Sequence, residues 1–224
     1  MKLSARTLTL LKNFATFNQS MLFLPGNRIR TITPVKTALA EADIEETIPQ
    51  EFAIYELGRF LNTLSLFGSE PDITFNEGCN YLTITGGSTN VRYFFCGRDM
   101  FITPPNKELP LGNEVVSFSL TSSTLKSVIQ AASILELPNI VIHNDDNNLC
   151  ISAMNPLDRS SNKFTKIINN DCTAEVNHKF DVANFKILLH DYTVSVSSKG
   201  ITRFTTEYES KHLCYWIASE YIKK

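Results

Sequence analysis

MKLSARTLTLLKNFATFN, residues 1–18, carries only three charged side chains, and all of them, Lys2, Arg6 and Lys12, are cationic. Laid on a helix at about 100° per residue, Leu10, Leu11, Phe14 and Phe17 gather on one side. Arg6, Thr9, Lys12, Asn13 and Thr16 fall on the other, and Ser4 stands where an N-cap belongs. The stretch reads as an amphipathic helix whose outer face is short in side chain, polar and positive. The bias runs on: residues 1–40 hold six Lys or Arg and no Asp or Glu, in a chain of 224 residues with a formal net charge of −2.

Three further segments repeat this character. YELGRFLNTLSLF (55–67) buries Leu57, Phe60, Leu61 and Leu64 and turns Arg59, Asn62 and Thr63 outward. SSTLKSVIQAASILEL (122–137) packs Leu125, Val128, Ile129 and Ala132 and exposes Lys126, Gln130 and Ser133. VANFKILLH (182–190), behind the cap residue Asp181, reads as a short fourth helix with Val182, Phe185 and Leu189 inward and Lys186 and His190 outward. A surface helix ordinarily mixes signs, often with Glu ahead of Lys. These four faces are cationic only, while the twenty-three acids fall mostly on strands, turns and helix ends.

Between the helices the chain alternates with a period of two. Strands are predicted at 21–24, 28–32, 39–43, 72–76, 81–85 and 91–95, then at 115–120, 139–143, 149–154, 178–180, 192–198, 201–207 and 212–218. Helices beginning near 4, 56, 122 and 181 repeat the architecture after about 120 residues. The segment ITPPNKELPLGN (102–113), with three Pro and one Gly, is the natural connector. The fold class is therefore α+β with two similar domains, 1–110, ending in a Pro-rich connector at about 99–113, and 111–224.

Enzymatic constellations are weak. Asp145 and Asp146 lie in NDDNN, a hairpin-turn composition, and TGGS (85–88) lacks the Lys-Ser/Thr of a phosphate loop. His143, His178, His190 and His212 show no metal-ligand spacing, and His190 beside Asp191 would diverge from it rather than pair. Five cysteines without a C-x-x-C pair indicate neither a disulfide framework nor a zinc site. No cofactor, metal or catalytic residue is expected. The absence of a long apolar run argues against a membrane span.

The opening 1–18, the stretch AEADIEETIPQEFAIYELGRFLNTLSLF (40–67) and the connector PPNKELP (104–110) resemble the DNA polymerase sliding clamps, or processivity factors, of large tailed phages. The resemblance continues through DVANFKILL (181–189) and the last strands. It implies two-domain subunits joined head to tail in a closed homotrimer, with antiparallel sheets outside, two helices per domain facing the hole, and duplex DNA passing through. Topological linkage then tolerates weak, sequence-blind phosphate contacts. The implied DNA-facing residues are Lys2, Arg6, Lys12, Arg59, Lys126 and Lys186. The implied joint pairs the edge strands VRYFF (91–95) and NKFTKI (162–167), with Phe94, Phe95 and Phe164. Polymerase tails would dock in an apolar pocket of the second domain near the connector residues Phe101, Ile102, Pro104 and Pro105; Trp216 reads as core. An ATP-dependent loader supplied by another protein, and the cytoplasm of an infected bacterium, complete the implied setting. The alternative is a β-rich virion or assembly protein that never meets DNA.

Overall fold

In the computed structural model, which describes residues 1–221 apart from 69, 70, 108, 159 and 171, Ser4 opens α1 (Ala5–Phe17) by accepting the Thr7 N–H on its hydroxyl at 3.1 Å. Leu10, Leu11, Phe14 and Phe17 are buried, as the helical period requires. α1 belongs to the first of two units, Met1–Asn106 with Glu209–Leu213. There it is followed by β1 (Met21–Phe23), β2 (Gly26–Ile32), β3 (Ala38–Ile48), β4 (Phe52–Ile54), α2 (Leu57–Ser65), β5 (Asp72–Phe75), β6 (Tyr81–Gly86) and β7 (Thr89–Phe94). β1 pairs with β4, β2 with β3, and β5, β6 and β7 form a meander, all antiparallel. TGGS is the β6–β7 turn: Gly86 pairs with Thr89, and Gly87 takes the left-handed conformation at φ +59°.

Two helices and an aromatic cluster close this unit. α1 packs on α2, β2 and β3, and Leu57, Phe60, Leu61 and Leu64 of α2 are buried. Phe60 meets Tyr93 of β7 edge-on at 5.1 Å. Phe52 stacks on Phe23 at 4.4 Å and touches Phe75 and Phe95 at 5.2 Å each. Such pairs add to burial by roughly 0.5–1.5 kcal/mol.

The second unit runs from Lys107 to Tyr208 and resumes at Cys214. It contains β8 (Glu114–Leu120), α3 (Ser122–Ile134), β9 (Asn139–Asp145), β10 (Asn148–Met154), β11 (Lys163–Asn169), β12 (Asn177–Asp181), β13 (Tyr192–Ser197), β14 (Ile201–Tyr208), most of β15 (Lys211–Ala218) and β16 (Glu220–Tyr221). One sheet has the order β11-β10-β9-β12-β16; β8, β13, β14 and β15 are successive neighbours in another. NDDNN turns β9 into β10 with Asp146 and Asn147 left-handed at φ 46° and 65°. α3 begins at the Thr121 cap and packs on β9, β10 and β11 through Leu125, Val128 and Ala132.

The fourth helix does not form, so the expectation of two helices in each domain is corrected for the second. Asp181 does cap, accepting the Ala183 N–H at 2.9 Å, but the turn is a single 3-10 turn, Val182–Asn184. Phe185 and Ile187 are then both buried with Lys186 exposed between them, a period of two. Leu189, expected inward, is 52% exposed. Nine residues are too few to hold a helix without tertiary help, and here the help favours a strap. The Tyr192 hydroxyl donates to the Leu188 carbonyl at 2.7 Å, and the Leu188 N–H donates to the Tyr215 hydroxyl at 3.4 Å.

Candidate nucleic-acid interface

The exposed face of α1 presents Lys12 with Thr16, and half-buried Thr9 and Asn13 beside them; Lys2 is exposed just before the helix. Arg6 departs from this face. It is 3% exposed, and its guanidinium points inward: Nη1 donates to the Asp43 carbonyl at 2.6 Å, lies 3.6 Å from Glu45 Oε1, and Nη2 reaches the Lys211 carbonyl at 3.5 Å. The expectation that Arg6 shares the solvent face with Lys12 is corrected. An arginine stem is long enough to leave the azimuth of its own Cα, and the Asp43 and Lys211 carbonyls with the Glu45 carboxylate decide where the head goes.

On α2, Arg59 is exposed and paired with Glu56 at 2.8 Å, so its charge is half-masked by a neighbour three residues back. Lys126 stands exposed on α3 among Ser122, Ser123, Thr124, Ser127 and Gln130, side chains that add hydrogen-bonding groups without opposing charge. Lys186 is exposed on the strap rather than on a helix. Two acids of β3, Glu41 and Asp43, are paired with cations of other elements. Glu41 of β3 is buried between Arg30, Arg28 at 3.5 Å and His212 at 3.3 Å, and Arg28 holds Asp43 at 2.7 Å. Burial pushes the Glu41 carboxyl up, but the His212 hydrogen bond and the charges of Arg30 and Arg28 outweigh it and leave it below the usual value. Glu45 is likewise held low: partial burial raises it, and hydrogen bonds from Ser4, its own backbone and Thr7, with Arg6 nearby, bring it down.

This bears on acid stability. A carboxyl whose pKa is lower folded than unfolded contributes stability above the unfolded value and loses it as pH falls through the folded one. Melting temperature should therefore hold between pH 7 and 5 and fall below about pH 4.5. Glu41→Gln should lower it at pH 7 and flatten its acid limb; an unchanged limb would remove Glu41 from the account.

Two strands at sheet edges carry the residues expected at a subunit joint. β7 ends the β5-β6-β7 sheet and β11 ends the five-stranded one. Phe94 is 60% exposed beside Tyr81, whereas Phe95 turns toward Phe52 and belongs to the aromatic cluster. Phe164 on β11 is half-buried; the exposed apolar residue there is Ile167, at 61%. Ile167 was not singled out from sequence, although alternation along KFTKIIN would have shown it. The connector residues Phe101, Ile102, Pro104 and Pro105 cluster with the first unit, not the second. Asn18 Nδ2 donates to the Ile102 carbonyl at 3.4 Å and Arg30 Nη1 to the Pro105 carbonyl at 3.0 Å. Pro104, Pro105 and Asn106 close a small cavity of about 30 Å³ with Leu22, Leu24, Arg28 and Arg30. Trp216 is half-buried on β15, and its indole N–H has no acceptor among the described residues.

Two polar clusters among the described residues bear on catalysis, and neither pairs an accessible nucleophile with a base. A cavity of about 260 Å³ on the β9–β12 face is lined by Val141, His143, Asn144, Met154 and Lys163 among others. His143 Nε2 lies 2.8 Å from the Ser152 hydroxyl, itself 2.8 Å from that of Thr165. Ser152 is fully buried, so this pair is a cross-strand tie and not an accessible nucleophile with its base. His190 and Asp191 diverge: the imidazole turns to the Thr206 hydroxyl at 3.0 Å, and the carboxylate accepts the Ser122 N–H at 2.6 Å at the start of α3. Among the described residues no three His, Cys, Asp or Glu side chains are grouped to hold a metal, and none of the five cysteines is in a disulfide. No helix among them is long and apolar enough to cross a membrane.

Solved structures of similar architecture include the proliferating cell nuclear antigen (PCNA) of Thermococcus kodakaraensis, at TM-score 0.71 and 16% identity over 98% of this chain and 99% of that one. Another is A. fulgidus PCNA bound to the C-terminal region of FEN-1, at TM-score 0.70 and 15% identity over 97% and 96%. The fold is that of the DNA clamps. Residues 2–95 match the family described as DNA polymerase processivity factor. The sliding clamp of Vibrio phage KVP40 is 33% identical over 98% of this chain and 99% of its own length, and that of Escherichia phage RB69 is 29% identical over 98% and 97%. The chain belongs to the sliding clamps, the non-catalytic processivity factors of phage DNA polymerases.

Proposed function

We propose that this chain closes head to tail into a homotrimeric ring that encircles duplex DNA and tethers the replicative polymerase without reading sequence. Charge segregation carries this reading. Lys12 and Lys126 stand exposed on helix faces otherwise furnished with Ser, Thr, Asn and Gln, and Arg59 is exposed beside its partner Glu56, while the β3 acids Glu41 and Asp43 are bound to Arg28 and Arg30 of β2 and Glu45 to Arg6 of α1. With a Debye length of about 10 Å at 0.1 M salt, so few cations on a net-acidic chain hold DNA only loosely. A closed ring supplies the missing restraint and presents each cation three times. A heterologous joint that closes after a fixed rotation builds it, and the edges β7 and β11, with Phe94, Phe95 and Phe164, are the strands proposed to meet there. Lys2 and Lys186 complete the DNA-facing set.

Partner tails are proposed to dock beside Phe101, Ile102, Pro104 and Pro105; that a clamp of this fold is solved with the C-terminal region of FEN-1 supports such a surface. The remaining parts of the proposal are an ATP-dependent loader supplied in trans and action in the cytoplasm of the infected bacterium. The test is topological. With loader and ATP, the protein should stay on nicked circular duplex through gel filtration and be lost when the circle is linearised. Equal retention on both forms would mean that it binds DNA as a surface and not as a ring.

A further inference from the structure

We propose that Arg6 is a positioning residue that fixes α1, and with it Lys12, against β3, and that it does not contact nucleic acid. The inference rests on the reading of α1 as a DNA-facing helix. Its basis is a network around the first turn. Three acceptors, the Asp43 and Lys211 carbonyls and the Glu45 carboxylate, surround the Arg6 guanidinium, whose side chain is 2% exposed. The same stretch of β3 holds the rest of the turn. Ser4 Oγ donates to Glu45 Oε2 at 2.8 Å, Thr7 Oγ1 donates to Glu46 Oε2 at 2.6 Å, and the Ser4 N–H donates to Glu46 Oε1.

The first turn of α1 contains no acid of its own. Glu45 and Glu46 therefore supply the negative charge that the positive end of the helix favours, from about forty residues further along the chain, with Arg6 beside Glu45 and the Ser4 N–H and Thr7 hydroxyl on Glu46. Lys12 lies six residues on, roughly 9 Å along the helix axis, so a tilt at the first turn displaces its ammonium from any phosphate path. A lysine at position 6 would carry the same charge but could not satisfy three acceptors in two directions, because an ammonium lacks the planar fork of a guanidinium.

The closing experiment uses the full chain with loader and polymerase, reading the length of processive products and the hydrogen exchange of α1 amides. Arg6→Lys should shorten products and speed α1 exchange about tenfold, as should Arg6→Met. Lys12→Met should shorten products and leave exchange unchanged. Glu45→Gln with Glu46→Gln removes two negative charges per subunit and, by charge alone, would lengthen products; here it should shorten them and speed exchange. Wild-type products and exchange in Arg6→Lys, or longer products in the double Gln variant, would overturn the proposal. Should Arg6→Met fail to fold, Arg6→Lys and the double Gln variant still decide. Wild-type protein that extends no products would count against the ring reading instead, while α1 exchange would still report on the brace.

Discussion

Phe94→Glu should convert the assembled protein into monomers in sedimentation, with a melting temperature close to that of the wild-type monomer. Phe94 is 60% exposed at the edge of its sheet, so a carboxylate there meets water in the isolated chain and disturbs little of its core. At a closed joint the same carboxylate would be buried against the apolar edge of β11, where Phe164 and Ile167 wait. Losing an aromatic side chain from a packed interface costs about 3 kcal/mol, on the order of a hundredfold in affinity at each joint, before the desolvation of the new charge is added. In the proposed trimer three joints must hold at once to keep the ring closed, so the effect compounds. Ile167→Glu should act in the same way from the opposite strand. A trimer that survives either change would remove β7 and β11 from the joint. Phe95 is a poor site for this test, since its ring packs at 5.2 Å on Phe52 and its loss would unsettle the fold itself.

The contrast between Phe94 and Phe95 shows what the sequence can and cannot reveal. Alternation places neighbouring strand residues on opposite faces, which is why the strands and their turns, including NDDNN and TGGS, were legible. It does not say which face is covered; that depends on β4, a three-residue strand too short to register as a pattern. Helices α1, α2 and α3 were legible because each buries a full 3.6-period stripe. The strap at 185–188 was not, because Phe185 and Leu189 imitate that period while Ile187, also buried, breaks it. What captured the strap, Tyr192 and Tyr215, lies on later strands.

Arg6 misled for a related reason. A helical wheel reports the direction of Cα–Cβ, and a side chain of Arg length can fold back when acceptors stand behind it. The acceptors come from Asp43, Glu45 and Lys211, between 37 and 205 residues away, a separation no local pattern encodes. Lys12 and Lys126 are exposed where the helical period places them.

Those two lysines carry the remaining prediction. Lys12→Glu with Lys126→Glu should shorten processive products severely at about 0.1 M salt while leaving the melting temperature within a degree or two. Both side chains are exposed, and surface changes of this kind alter stability by about 0.5 kcal/mol or less. In a trimer the pair counts as six cations. At roughly 0.5 kcal/mol for an exposed charge contact they amount to about 3 kcal/mol of attraction, which the substitution turns into repulsion. Screening makes the test sharper: raising salt should narrow the gap between variant and wild type, because both sets of charges fade together. A defect that persists undiminished at high salt would point to damaged structure. Products of wild-type length at moderate salt would show that these helix faces do not line the path of the DNA.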